Sequence, residues 1–219
     1  MNDLARRLAA TVGILLSPLA AAAQDRPDIS ADSSVFRPLE LPTPNEYRSA
    51  SGAPGPRYWQ QRADYRIQTV LDTAAEVLSG SQTIRYRNNS PDTLRHLWLQ
   101  LDQNLYRPGS LGSFQNPSDS RWGTRSFPGG IDVSEVYVGT TQVRPYIWDT
   151  LMRIDLPRPL SPGGHLVVGM TWRFRIPEYG SDRMAREGDL YEMAQWFPRM
   201  AVYDDVRGWN TQPYGSIGT

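Results

Sequence analysis

The chain has 219 residues, of which 39% are hydrophobic and 21% charged, and its 23 basic and 23 acidic residues cancel to a net charge of zero. All the basic residues are Arg and they are spread along the chain, so no basic face that would track phosphates is expected and nucleic acid is not a predicted partner. With no cysteine there is no disulfide, no thiolate metal site and no lipidated N-terminal Cys, so packing must hold the chain together.

At the N-terminus Arg6-Arg7 is followed by an apolar run from Leu8 to Leu19 and then by Ala20 to Ala23. Ala21 and Ala23 fit the small-residue cleavage pattern, which predicts a signal peptide over 1–23 and export to the periplasm or beyond the cell. The run falls short of the roughly 20 residues that span a bilayer, and no later run is longer, so no membrane span is expected after cleavage. Residues 24–56 are rich in Pro, Ser, Asp and Gly without periodicity and read as a flexible or extended lead.

From Tyr58 onward the apolar period is two. Tyr65, Ile67, Thr69 and Leu71 alternate with Arg66, Gln68 and Val70, and Ile84 and Tyr86 alternate with Thr83, Arg85 and Arg87 across a turn at Asp72 to Glu76, predicting a hairpin. Asn88 to Asp92 is a turn, because Asn and Asp bond their own backbone and Pro91 fixes one dihedral. Leu94 to Leu101 reads as the next strand, and Asp102 to Gly130 as a long loop without structure of its own. Strands follow at Ile131 to Val138, Val143 to Trp148 and Leu151 to Leu156. Pro157 to Gly164 is a turn cluster. Leu166 to Ile176 is a long strand with Val168, Met170, Trp172, Phe174 and Ile176 on one face. No helical repeat occurs outside the signal peptide, so the predicted fold is all-β, a saddle-like or sandwich arrangement of mostly antiparallel strands over 57–192.

Little in the chain carries chemistry by itself. A thermolysin-type zinc site needs two His one helical turn apart in H-E-x-x-H, and the chain has only His96 and His165, far apart and without that Glu. There is no G-x-S-x-G elbow. Gly129-Gly130 and Gly163-Gly164 follow Pro and precede strands, so they are turns and not phosphate cradles. Asp204-Asp205 reads either as a carboxylate pair for a cation or acid/base work, or as a turn partnered by Arg199 and Arg207. Trp196, Phe197, Tyr203 and Trp209, irregularly spaced and interrupted by Pro198 and Gly208, suit a non-repetitive connection packed against something large.

Three ordered blocks carry a resemblance: "YWQQRADYRIQTVLDTAAEVLSGSQTIRYRNNSPDTLRHLWLQL" (Tyr58 to Leu101), "LMRIDLPRPLSPGGHLVVGMTWRFRIP" (Leu151 to Pro177) and "AQWFPRMAVYDDVRGWNTQPY" (Ala194 to Tyr214). Together they resemble the N-terminal β domain of bacterial aminopeptidase N-like (gluzincin) zinc metallopeptidases. The resemblance implies a β domain that covers a catalytic domain and shapes the pocket for the substrate's N-terminal residue, with 193–219 the connection toward a catalytic domain not in this chain. Zinc and the Glu base would reside there, so no catalytic residue, metal ligand or cofactor is expected in this chain. Its partners would be its own C-terminal catalytic domain and, through the full-length parent, a peptide substrate.

The family's G-x-M-E-N amine-binding segment is absent, and Tyr191-Glu192-Met193 does not match it. One position carries over by context: Gln195, in Ala-Gln-Trp-Phe-Pro, matches a family Gln that contacts the first substrate side chain, although Phe197-Pro198-Arg199 stands where known members have an acidic residue. The rival expectation is a stand-alone exported binding module that uses Trp122, Trp148, Trp172 or Trp196 to stack on glycans or peptides.

Overall fold

The computed structural model describes residues 43–115, 127–178 and 184–215, and the expected signal peptide and most of the expected lead lie outside the described residues. Strands occur in chain order as β1 (Arg62–Asp72), β2 (Val77–Arg87), β3 (Leu94–Gln100), β4 (Asp132–Val138), β5 (Thr141–Gln142), β6 (Tyr146–Trp148), β7 (Leu151–Leu160), β8 (His165–Arg175), β9 (Met184–Glu187), β10 (Leu190–Met193), β11 (Arg199–Met200), β12 (Tyr203–Asp204) and β13 (Gly208–Trp209). A five-stranded sheet runs β1-β2-β8-β4-β5 and a four-stranded sheet runs β11-β3-β7-β6, every pairing antiparallel. The all-β expectation holds.

The predicted hairpin is the spine of the larger sheet. All eleven positions of β1 pair with β2, and all eleven of β2 pair with β8. Asp72 Oδ1 accepts the Ala74 and Ala75 N–H groups, so the side chain satisfies the turn that the strand pattern leaves open. The alternation resolves into a core face: Leu78, Ile84, Tyr86, Val168, Met170, Trp172, Phe174 and Ile176 are buried against Leu97, Leu99, Met152 and Ile154 of the second sheet. Each such side chain contributes about 1.5–3 kcal/mol by leaving water. Gly80 sits under the Trp172 ring, where an added Cβ would come within 2.6 Å of Cζ2 and 2.9 Å of the Gln68 carbonyl. A side chain at that position would displace the indole.

The smaller sheet is covered on both faces. Leu97 and Leu99 face the main core, while Trp98 on the other face joins Leu151 and Ala201 in a second cluster closed by Trp148 and Trp209.

Three expectations are corrected. The run 143–148 is not one strand: β5 ends the larger sheet, β6 belongs to the smaller one, and Arg144-Pro145 carries the chain between them. The strand beginning at Leu151 runs on through Pro157 and Pro159 to Leu160. Beyond Arg153 its side away from β3 has no strand partner among the described residues, which is where a sheet tolerates Pro. The described part of the predicted 102–130 loop is also structured, with a 3-10 turn at Asp102–Tyr106, buried throughout, and a short helix α1 at Leu111–Gln115. Asp102, Gln103 and Asn104 are polar, so no apolar period announces them.

Candidate functional site

The segment 194–200 crosses the larger sheet and is held by three buried polar side chains, two from the Asp102–Tyr106 turn and one from β2. Gln103, 3% exposed, donates its Nε2 to the carbonyls of Ala194 (3.2 Å) and Gln195 (3.1 Å). Gln82, also 3% exposed, donates Nε2 to the Pro198 carbonyl at 2.7 Å, while its Oε1 accepts the Trp172 indole N–H at 3.2 Å. Asp102 accepts Arg199 Nε at 2.7 Å and Nη2 at 3.0 Å, a two-point ion pair. Asn104 anchors the same turn from behind, donating to the Asp149 carbonyl (2.8 Å) and accepting the Ile131 N–H (3.0 Å).

Aromatic contacts complete the hold. Trp196 lies 5.7 Å from Trp172 and 4.9 Å from Phe197, and Phe197 meets Tyr65 edge-on at 5.5 Å. Tyr65 Oη accepts the Met200 N–H at 2.8 Å, and burial pushes its phenol pKa up. The large surface on which these rings were expected to pack is the chain's own sheet.

Gln195 sits at the head of this clamp with φ +52°. A residue with a Cβ costs roughly 1–2 kcal/mol in the left-handed region, so the surrounding bonds must enforce that conformation. Gln103 on its carbonyl and the anchored Trp196-Phe197-Pro198 behind it supply them. The side chain is half-buried on a backbone fixed from both sides.

A second concavity of about 340 Å³ lies beyond Met200, between Tyr58 to Gln61 and Met200 to Asp204. Trp59 stacks on Tyr203 (5.8 Å), Tyr203 meets Trp209 (5.0 Å), and Trp209 stacks on Tyr86 (6.2 Å). The Tyr203 hydroxyl donates to Asp92 Oδ2 at 2.8 Å. Burial first, and then the Asp92 hydrogen bond and charge, push the Tyr203 pKa up to about 12. Burial likewise raises Tyr86 well above the usual phenol range.

The other sequence candidates fall elsewhere. Asp205 accepts Arg48 Nε at 2.9 and 2.7 Å, and Asp204 Oδ1 accepts the Val206 and Arg207 N–H groups. The acidic pair is therefore a turn and an ion pair, but its Arg partner is Arg48 of the lead, because Arg199 belongs to Asp102. His96 meets Trp98 edge-on in the smaller sheet, and His165 opens β8 in the larger one. Among the described residues no three His, Cys, Asp or Glu side chains converge as metal ligands.

Trp172 is 2% exposed and cannot serve as a stacking platform. Trp148 packs on the second cluster, and Trp122 lies outside the described residues. Gln82, Asp102, Gln103 and Asn104 were not singled out by sequence. Gln82 alone left a trace, a polar residue two places before Ile84 on the core-facing row of its strand.

No protein-family model matches the chain, and no curated protein matches it in sequence. Solved structures give distant likenesses. An M1 zinc metallopeptidase mutant from Deinococcus radiodurans bound to a Tyr-Ser-Ala substrate is similar at 17% identity and TM-score 0.38, over 65% of this chain and 26% of that one. A two-domain M1 zinc metallopeptidase mutant bound to L-tryptophan gives 17% and 0.38 over 64% of this chain and 26% of that one. An M1 zinc metallopeptidase from Deinococcus radiodurans gives 16% and 0.37 over 63% and 30%. The matched region thus spans less than a third of the length of each of these proteins.

Proposed function

We propose that this chain is a noncatalytic β domain that shapes the substrate cleft of an exported zinc aminopeptidase-like protein. The parent reaction would be metal-dependent hydrolysis of N-terminal peptide bonds. Gln195 is the contact to the substrate's first side chain. The observation that carries the reading is the clamp on Gln195: a non-glycine residue is kept in the left-handed region by buried bonds to its own carbonyl and its neighbours. Strain of that kind persists where surroundings enforce it, and it clusters at ligand contacts. The three ordered sequence blocks add the family context.

A carboxamide suits the role. It donates and accepts without charge, so it orients a substrate side chain or backbone without opposing the developing charge at the scissile carbonyl. In this reading zinc and its water-activating Glu would come from a separate catalytic domain. The mature chain, incubated with zinc and aminoacyl-anilides, is expected to release no aniline and to retain no stoichiometric zinc. Chelator-sensitive hydrolysis by this chain alone would overturn the reading.

A second reading, a stand-alone exported binding module, is favoured by the aromatic cleft at Trp59, Tyr65 and Tyr203. A stop codon directly after Thr219 together with saturable binding of a glycan or peptide that is lost in Trp59→Ala would establish it. A reading frame that continues into H-E-x-x-H would favour the first.

A further inference from the structure

An exposed sheet edge is a row of unpaired N–H and C=O groups, and proteins usually blunt it with short strands, Pro or bulges. Most sheet edges among the described residues follow that rule. β5 and β11 have two residues each and β6 has three, while the open side of β7 is broken by Pro157 and Pro159. β1 has none of these devices and is blunted only by its charges, Arg62, Asp64, Arg66 and Asp72. It is eleven residues long, pairs with β2 without a bulge, contains no Pro, and lies at the end of the five-stranded sheet. Among the described residues no backbone hydrogen bond joins its outer side to another segment.

Its side chains are self-complementary in one register. If two β1 strands pair antiparallel about Ile67, Arg62 faces Asp72 at both ends, Arg66 faces Gln68, and Asp64 faces Val70 on the outer surface. On the core-facing side Ala63 faces Leu71, Tyr65 faces Thr69 and Ile67 faces Ile67. Opposed residues share a face in an antiparallel pair, so both core faces stay on one side. Sliding two residues one way sets Arg66 against Arg66 and separates Arg62 from Asp72. Sliding two the other way sets Asp64 against Asp72 twice. A slip of one residue turns a core face to the wrong side.

We propose that β1 is a docking edge for a second copy of this chain, paired antiparallel about Ile67 so that two five-stranded sheets become one. Tyr65, Val70 and Leu71, exposed by 36%, 67% and 38%, are the apolar positions that such pairing covers in part. The interface is isologous, with every contact except that of Ile67 with itself made twice.

Gln68 provides the test, because it is exposed and faces Arg66 of the other copy twice. Sedimentation velocity over a dilution series of the mature chain is expected to show a monomer–dimer equilibrium. Gln68→Glu should tighten it about three- to tenfold, the worth of two cross-strand charge pairs, and Gln68→Arg should loosen it by a similar factor. Far-UV circular dichroism of both variants should match the parent. A chain that stays monomeric at all concentrations overturns the proposal. So does a dimer whose affinity is unmoved by both substitutions, since assembly would then use another surface.

Discussion

Arg199 lays its guanidinium against the Asp102 carboxylate, Nε to Oδ2 at 2.7 Å and Nη2 to Oδ1 at 3.0 Å, with the Asp102 side chain 2% exposed and the Arg199 side chain 37% exposed. The two residues are 97 apart in sequence, and their pairing fastens the 194–200 segment to a turn that no apolar pattern predicts. Arg199→Met strands a buried carboxylate. Because the arginine is partly solvated, the cost should fall at the lower end of that for breaking a buried pair, about 3 kcal/mol. Urea titration followed by tryptophan fluorescence measures it, and Asp102→Asn, which leaves a neutral buried amide, should cost less.

Gln82 serves the Pro198 carbonyl and the Trp172 indole at once. Gln82→Leu has nearly the same volume but leaves both groups unpaired, so a loss of about 1–3 kcal/mol is expected. Gln82→Glu, when ionised, accepts from the indole but offers Pro198 no donor and buries a charge, so above the carboxyl's pKa it should be no better. Equal stability of Gln82→Leu and the parent would show that the 198 carbonyl finds another donor.

At Gln195 the backbone predicts the opposite sign. Gln195→Gly removes the left-handed penalty and should stabilise the isolated chain by up to about 1 kcal/mol after the entropy of glycine is subtracted. Gln195→Val, branched at Cβ, should destabilise it. Thermal unfolding of the two variants in parallel distinguishes an enforced conformation from an indifferent one.

Alkaline stability reports the aromatic cluster. An unfolded tyrosine releases its proton near pH 10, whereas folding holds the Tyr203 proton to about pH 12 and raises Tyr86 and Tyr65 in the same direction. The folded state therefore binds more protons than the unfolded one above pH 10. The contribution is complete below pH 10 and is lost as pH rises through about 12. Tyr203→Phe should unfold with a shallower dependence over pH 10–12. A slope unchanged by that substitution would mean Tyr203 titrates normally.

The strands were legible where one face is wet and the other dry. β2 and β8 follow the alternation of Ile84 and Tyr86 and of Val168 to Phe174, whereas β3 is buried on both faces from Leu97 to Gln100 and only its Leu97, Leu99 and Leu101 row is legible. Where burial is polar the alternation is silent, and Asp102, Gln103 and Asn104 are buried because each has a specific partner elsewhere in the chain. Pro145 marks a change of sheet that a period-two count passes over, and Pro157 and Pro159 suggested a turn because the open flank of β7 is a tertiary fact. Gln195 could be named by resemblance, but its left-handed backbone could not, since Gln is not a residue that favours it.

The most direct measurement of the central claim is the hydrolysis of a series of aminoacyl-anilides by the product of the complete reading frame, wild type against Gln195→Ala. Chelator-sensitive activity is expected, with unchanged zinc content in the variant and a severalfold change in kcat/KM whose size depends on the substrate's first side chain. Identical kcat/KM profiles for the two proteins, or a reading frame that encodes no metal-dependent activity, would contradict it.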